Sequence, residues 1–96
     1  MRLAKFRHKG LQQLHQGGNV KGVSLETADK LRRLILAMET AETIDQLTLF
    51  PGWKLHPLKG DLRGSWSLTV TGNRRLIFRY DTKTNVASDI DLIDYH

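Results

Sequence analysis

A chain of 96 residues suits one domain with one modest core, and 40% apolar with 26% charged residues is ordinary for a soluble globular protein. The lack of cysteine excludes a disulfide scaffold and thiolate metal sites, and it fits a reducing compartment. A net charge of +5 points to an anionic partner: nucleic acid, an anionic membrane surface or an acidic protein.

No apolar run approaches the length of a membrane span. The basic start MRLAKFRHKG has no apolar stretch after it, so no signal peptide is expected, and the cytosol is the expected location. In chain order, residues 2–8 alternate weakly around Leu3 and Phe6 and predict an N-terminal strand. KGLQQLHQGG sets Leu11 and Leu14 at helical spacing and stops at Gly17 and Gly18, which predicts a short helix. Ser24 suits the N-cap of a longer helix with Glu26 in its first turn. Leu31, Leu34, Ile35 and Met38 then repeat as one buried face. Thr43 and Gln46 bracket a capping-box pattern for a third short helix, closed by a turn at FPGW.

Beyond FPGW the period changes to two. Trp66, Leu68 and Val70 alternate with Ser67 and Thr69; Leu76, Phe78 and Tyr80 alternate with Arg75, Ile77 and Arg79. Matching apolar with apolar predicts a loop of Gly72, Asn73 and Arg74, with Val70 opposite Leu76, Leu68 opposite Phe78 and Trp66 opposite Tyr80. Arg74 then sits at the hairpin tip. A last strand follows a turn near residues 81–85, with Val86, Ile90 and Leu92 as its core face. No repeat or linker divides the chain. The expected architecture is a single α+β domain over residues 1–96: an antiparallel sheet of the N-terminal strand and a C-terminal meander, with two or three helices on one face. The other face is expected to expose Ser67, Thr69, Arg75 and Arg79.

The positive charge is uneven. Lys54, Lys59, Arg63, Arg74, Arg75 and Arg79 fall within one stretch that holds a single acid, Asp61. That stretch opens with WKLHPLKGDLRG, which adds His56. The chain closes on Asp94, Tyr95 and His96. Imidazoles that titrate near neutrality, cations for a phosphate and a phenol that stacks or donates a hydrogen bond are sufficient to cut RNA without a metal. The ribose 2′-OH is the nucleophile; the protein moves protons and stabilises the crowded phosphate.

Plainer readings exist for each. A lone histidine is more often a surface residue than a catalyst. Lys59 and Arg63 serve equally as solvated loop charges, and a chain end such as His96 commonly frays. If Tyr80 pairs with Val86, Arg75 falls opposite Asp91 and an ion pair explains it. In that register His96 lies about 16 Å beyond the position opposite Arg75, so a twist, a bulge or another strand order is needed to unite them. Asp94 with two histidines matches no strong metal motif.

KLHPLKGDLRGSWSLTV, then NRRLIFRY, then the terminal DYH, together with the opening FRHKGL, resemble the HigB toxins of bacterial toxin–antitoxin systems, within the RelE-like superfamily. The likeness runs from about Phe6 to His96. It implies a RelE-like fold and a ribosome-dependent mRNA interferase that cleaves the codon in the A site without metal or other cofactor. By position, His56 and Lys59 match the family's basic site residues, Arg75 its phosphate-binding arginine, and Asp94, Tyr95 and His96 its C-terminal site tripeptide. Lys54, Arg63, Arg74 and Arg79 are then RNA-binding candidates. Arg74 departs from the pattern, since many members carry an aromatic there; the exchange bears on base preference rather than catalysis. In this reading Lys59 stabilises the phosphate or acts as base, and His96 transfers a proton with Asp94 orienting it. Tyr95 positions a base or the 2′-OH. The implied partners are the ribosome with its mRNA and an antitoxin, a HigA-like helix-turn-helix protein through which alone the toxin meets operator DNA; no membrane partner is implied. Two rival functions compete with this one: a basic RNA- or ribosome-binding module that blocks translation without cutting, and a gyrase poison on the same fold, like the ParE toxins. Neither needs a terminal imidazole.

Overall fold

The structure is a computed structural model that describes residues 1–18 and 23–94. Its longest helix, α2 (Leu25–Thr40), starts where expected: Ser24 Oγ accepts the Thr27 N–H at 3.2 Å. Leu31, Leu34, Ile35 and Met38 are buried along one side, together with Ala28. Helix α1 (Lys9–His15) buries Leu11 and Leu14, and its N-cap is a histidine, His8, whose Nδ1 accepts the Leu11 N–H at 3.1 Å. The third helix is a 3₁₀ turn, Ile44–Leu49, and its expected capping box does not close. Thr43 makes no side-chain cap bond, while the Gln46 carboxamide oxygen accepts the Glu42 N–H at 2.8 Å. A second 3₁₀ turn, Pro51–Trp53, follows, with Phe50 stacked on Trp53 at 4.0 Å between ring centroids.

These helices cover one face of a five-stranded sheet in the order β1-β5-β4-β3-β2. The strands are β1 (Arg2–Leu3), β2 (His56–Pro57), β3 (Ser65–Thr69), β4 (Arg74–Asp81) and β5 (Val86–Asp94). Strands β2 to β5 form the antiparallel part, but β1 runs parallel to β5, with Arg2 beside Val86, so the sheet is mixed. The helical segment between β1 and the meander is the long crossover that a parallel pair requires. The strand expected over residues 2–8 shrinks to β1 and a single further bridge from Phe6 to Ile90.

Two registers differ from expectation. In the β3–β4 hairpin Leu68 faces Leu76 and Trp66 faces Phe78, so the loop is Thr71, Gly72 and Asn73, and Arg74 is the first residue of β4 rather than the tip. The shift of two residues keeps every side chain on its expected face. It is held by the Thr71 hydroxyl, which accepts the Arg74 N–H at 3.1 Å, and by Arg75 Nη1, which donates to the carbonyls of Thr71 and Gly72 at 2.7 and 3.2 Å. In the β4–β5 pair the register changes between Ile77 and Arg79. Asp89 at φ 50 makes the bulge. The extra residue exchanges the faces, so Ala87 rather than Val86 joins Ile90 in the core. Together with the pairing of Tyr80 with Ala87 in place of Val86, it puts Ile93, not Asp91, opposite Arg75.

The core is one cluster in which Leu68, Val70, Leu76, Phe78, Ala87 and Ile90 of the sheet segments meet the buried faces of α1 and α2. Among the described residues no helix is long and apolar enough to cross a membrane.

Candidate active site

The face of β2–β5 turned away from the helices carries the polar alternates of each strand, and its residues fall in rows. His56 stands beside Ser67, Ser67 beside Ile77, and Ile77 beside Asp91. The next row runs Thr69, Arg75, Ile93, and the row on the other side runs Ser65, Arg79, Ser88. Strand spacings near 4.8 Å and a rise near 3.3 Å per residue put the backbones of His56 and Arg75 roughly 12 Å apart. Between them lies a floor of Ser67 and Ile77, both buried. Two long side chains leaning in from either side of such a floor can hold one phosphate group between them.

His56 is fixed by its own segment. The edge strand β2 tolerates Pro57, which has no N–H to donate. Just before it, Lys54 adopts the left-handed conformation, φ 50 and ψ 52. His56 Nδ1 lies 2.9 Å from the Lys54 carbonyl oxygen. A carbonyl only accepts, so Nδ1 carries the proton and, in the neutral ring, Nε2 keeps its lone pair. The imidazole is exposed and offers that nitrogen to a ligand. His8 has the opposite arrangement: its Nδ1 accepts from a backbone N–H, so its proton is on Nε2.

Arg75 is half-buried, and its Nη1 bonds to the Thr71, Gly72 and Arg74 carbonyls hold the guanidinium at the hairpin end of the groove. Arg79 is exposed and lies over Gly64, where an added Cβ would stand 3.2 Å from Arg79 Nη2. Gly64 also has φ +95, so both backbone and neighbour call for glycine there. Lys54, Lys59 and Arg63 are exposed along the segment that carries His56.

Arg74 and Asp94 do not join this group. They are register partners at the end of the row that continues Leu76 and Leu92, on the helix side of the sheet, with Arg74 Nε 3.8 Å from Asp94 Oδ1. Tyr95 and His96 lie outside the described residues. Ser67, Ile77 and Asp91 are the additions that the rows make and that sequence reading did not single out. The alternation alone put Ser67 and Ile77 on this face, but only the pairing with β2 sets Ser67 beside His56. Ser67 was expected to be exposed; it stands between His56 and Ile77 of the adjacent strands and is 0% exposed.

Among the described residues, no group of three or more His, Cys, Asp or Glu is placed to hold a metal. An apolar groove of about 800 Å³ lies between α2 and the 3₁₀ turns, lined in part by Leu36, Leu49, Phe50 and Trp53, away from these rows.

A family model described as the RelE-like toxin of the type II toxin–antitoxin system HigB matches residues 4–96. The chain is 40% identical over 78 residues to Endoribonuclease HigB of Proteus vulgaris, covering 81% of this chain and 84% of that protein. Among solved structures, the YoeB/ParE toxin from Agrobacterium tumefaciens is similar at TM-score 0.60 and 19% identity, over 100% of this chain and 99% of that one. A chain of the toxin–antitoxin complex RelBE2 from Mycobacterium tuberculosis gives a TM-score of 0.48 at 17% identity, over 99% and 96% of the two chains.

Proposed function

The chain belongs to the HigB-like toxins of type II toxin–antitoxin systems, and from that premise we propose that it is an endoribonuclease that cuts mRNA in the ribosomal A site. The observation that carries the chemistry is the tautomer of His56. Its Nδ1–H is committed to the Lys54 carbonyl, so Nε2 is ready to take a proton on the face where Arg75 waits one row away. The fold by itself does not separate RNA cleavage from gyrase poisoning. Family membership and this imidazole favour cleavage.

In the proposed reaction the 2′ oxygen attacks the adjacent phosphorus while a base takes its proton. The bond from phosphorus to the 5′ oxygen breaks, and an acid returns a proton to that leaving oxygen. The products are a 2′,3′-cyclic phosphate and a 5′-hydroxyl. His56 serves one proton transfer, and His96, by the family resemblance, serves the other. Arg75 and Lys59 stabilise the charge that builds on the phosphate oxygens. The surrounding excess of Lys54, Arg63 and Arg79 favours entry into a site made of ribosomal RNA. As a type II toxin the chain has an antitoxin partner; a HigA-like helix-turn-helix protein that also holds operator DNA is the proposed form.

The test is to map mRNA ends shortly after induction, on a translated message and on a copy that lacks its start codon. Cuts within codons of the translated copy alone are expected. Equal cutting of both rejects ribosome dependence. Intact mRNA with stalled translation supports a blocking module, and intact mRNA with DNA damage supports a gyrase poison.

A further inference from the structure

Ser67 is the one residue of the groove floor whose chemistry the proposed reaction leaves unused. Its side chain is 0% exposed, and its Oγ has no hydrogen-bond partner among the described residues. A buried hydroxyl without a partner is costly, and proteins keep few of them. Ser67 is also the direct cross-strand neighbour of His56. Such neighbours have Cβ atoms about 5 Å apart, so a change of side-chain torsion is enough to bring hydroxyl and imidazole together. The apolar floor residue on its other side, Ile77, offers it nothing.

We propose that Ser67 is a positioning residue for cleavage, its hydroxyl forming a hydrogen bond to the His56 imidazole as the reaction proceeds. The proposal rests on the reading of His56 as a proton-transfer group. Because Ser67 is buried, it acts on the substrate through His56 and not directly. A serine hydroxyl is both donor and acceptor. Its oxygen can therefore accept the Nε2–H once the ring has taken the 2′-OH proton, while the neutral ring keeps its Nε2 lone pair for that proton. In the free protein the hydroxyl is unsatisfied; during turnover it gains a partner with developing charge. An interaction that exists only as the transition state is approached speeds the chemical step without tightening substrate binding. The other buried serine of this strand face, Ser65, stands opposite Arg79 rather than beside His56, and it provides the comparison.

The experiment measures single-turnover cleavage of ribosome-bound mRNA, as the rate at saturation and the half-saturating concentration, with a melting curve for each protein. Ser67→Ala removes only the oxygen. It is expected to melt at or slightly above the parent temperature, since it deletes an unpartnered polar atom. Its saturating rate is expected to fall about tenfold, the worth of one hydrogen bond to a charged group, with the half-saturating concentration unchanged. Ser65→Ala is expected to keep the parent rate. A Ser67→Ala protein that cuts at the parent rate overturns the proposal. So does one whose rate loss comes with a matching loss of melting temperature, or one whose half-saturating concentration rises instead, because those results describe a structural or binding role. An equal rate loss in Ser65→Ala overturns it too. If the parent chain does not cut ribosome-bound mRNA at all, the proposed function fails and this inference fails with it; if the parent cuts and Ser67→Ala matches it, this inference alone fails.

Discussion

Strands β3 and β4 present two faces made of alternate residues of the same short segments, and the two faces follow different rules. Toward the helices stand Leu68, Leu76 and Phe78, each 0% exposed, and their burial supplies the hydrophobic driving force of the fold. Away from them stand Ser65, Ser67, Thr69, Arg75, Ile77 and Arg79. Ser67 is as buried as Phe78, yet its burial contributes little apolar area and leaves a hydroxyl without a partner. A sheet that served stability alone would place valine or isoleucine there. The comparison separates residues kept for transfer free energy from residues kept for chemistry, and each prediction below probes one side of it.

The largest expected effect is on the polar face. His56→Ala should melt like the parent, because the ring is exposed. Its single-turnover rate on ribosome-bound mRNA should fall about 10²–10⁴-fold, the usual range for general acid–base catalysis. His96→Ala should fall in the same range. If either variant keeps more than about a tenth of parent activity, that imidazole moves no proton in the rate-limiting step.

On the apolar face the expectation reverses. Phe78→Ala removes a fully buried ring from the centre of the core and should cost about 3–5 kcal/mol in stability, read from denaturant unfolding. Whatever fraction remains folded should cut RNA at the parent rate per folded molecule. A folded Phe78→Ala protein with lost cleavage would show that the two faces are not separable in this way.

That separation was legible in the sequence to the extent that it is local. Helix spacing, the Ser24 cap and the alternation of β3 and β4 depend on neighbours along the chain, and all three held. One local expectation failed, the capping box of Thr43 and Gln46; the other failures concerned pairing between segments. The hairpin register was missed by two residues because parity is all that alternation fixes; the Thr71 hydroxyl and the Arg75 guanidinium decide the rest. The bulge at Asp89 leaves no sequence mark, since an aspartate in the left-handed region is only modestly favoured. The parallel pairing of β1 and the two-residue strand β2 are likewise set by tertiary contact, and β2 contains a proline that reads as a loop. Candidate residues His56, Lys59 and Arg75 were visible as residue types. The row that joins Ser67 to His56 was not, because it needs β2.

Arg75 belongs to both sides of the comparison, because it ties the hairpin carbonyls and faces the groove. Arg75→Lys keeps the charge and loses the planar fork. A single ammonium can still reach one carbonyl, so stability should change by less than about 1 kcal/mol. Cleavage should fall roughly tenfold if the guanidinium grips the phosphate through two parallel bonds. Near-parent cleavage in Arg75→Lys would assign the residue to the hairpin alone.

The smallest effect should come from the pair at the end of the helix-side row. Arg74 and Asp94 are half-exposed, 32% and 51% by side chain, and 3.8 Å apart. Such a pair is expected to couple by about 0.2–1 kcal/mol in a double-mutant cycle of Arg74→Ala and Asp94→Ala. That coupling should fade near about 0.5 M salt, where screening is strong. Both residues were candidates for the site, Arg74 for its charge and Asp94 by resemblance as well, but their partner in the structure is each other. If that pairing is their role, Asp94→Asn should keep cleavage within roughly fivefold of the parent, the rate equivalent of the weak pair it disturbs. A loss of about 100-fold or more in Asp94→Asn, with an unchanged melting curve, would return the carboxylate to the proton-transfer chemistry. The ion pair with Arg74 would then describe only the free protein, and the carboxylate would have to leave it when mRNA binds.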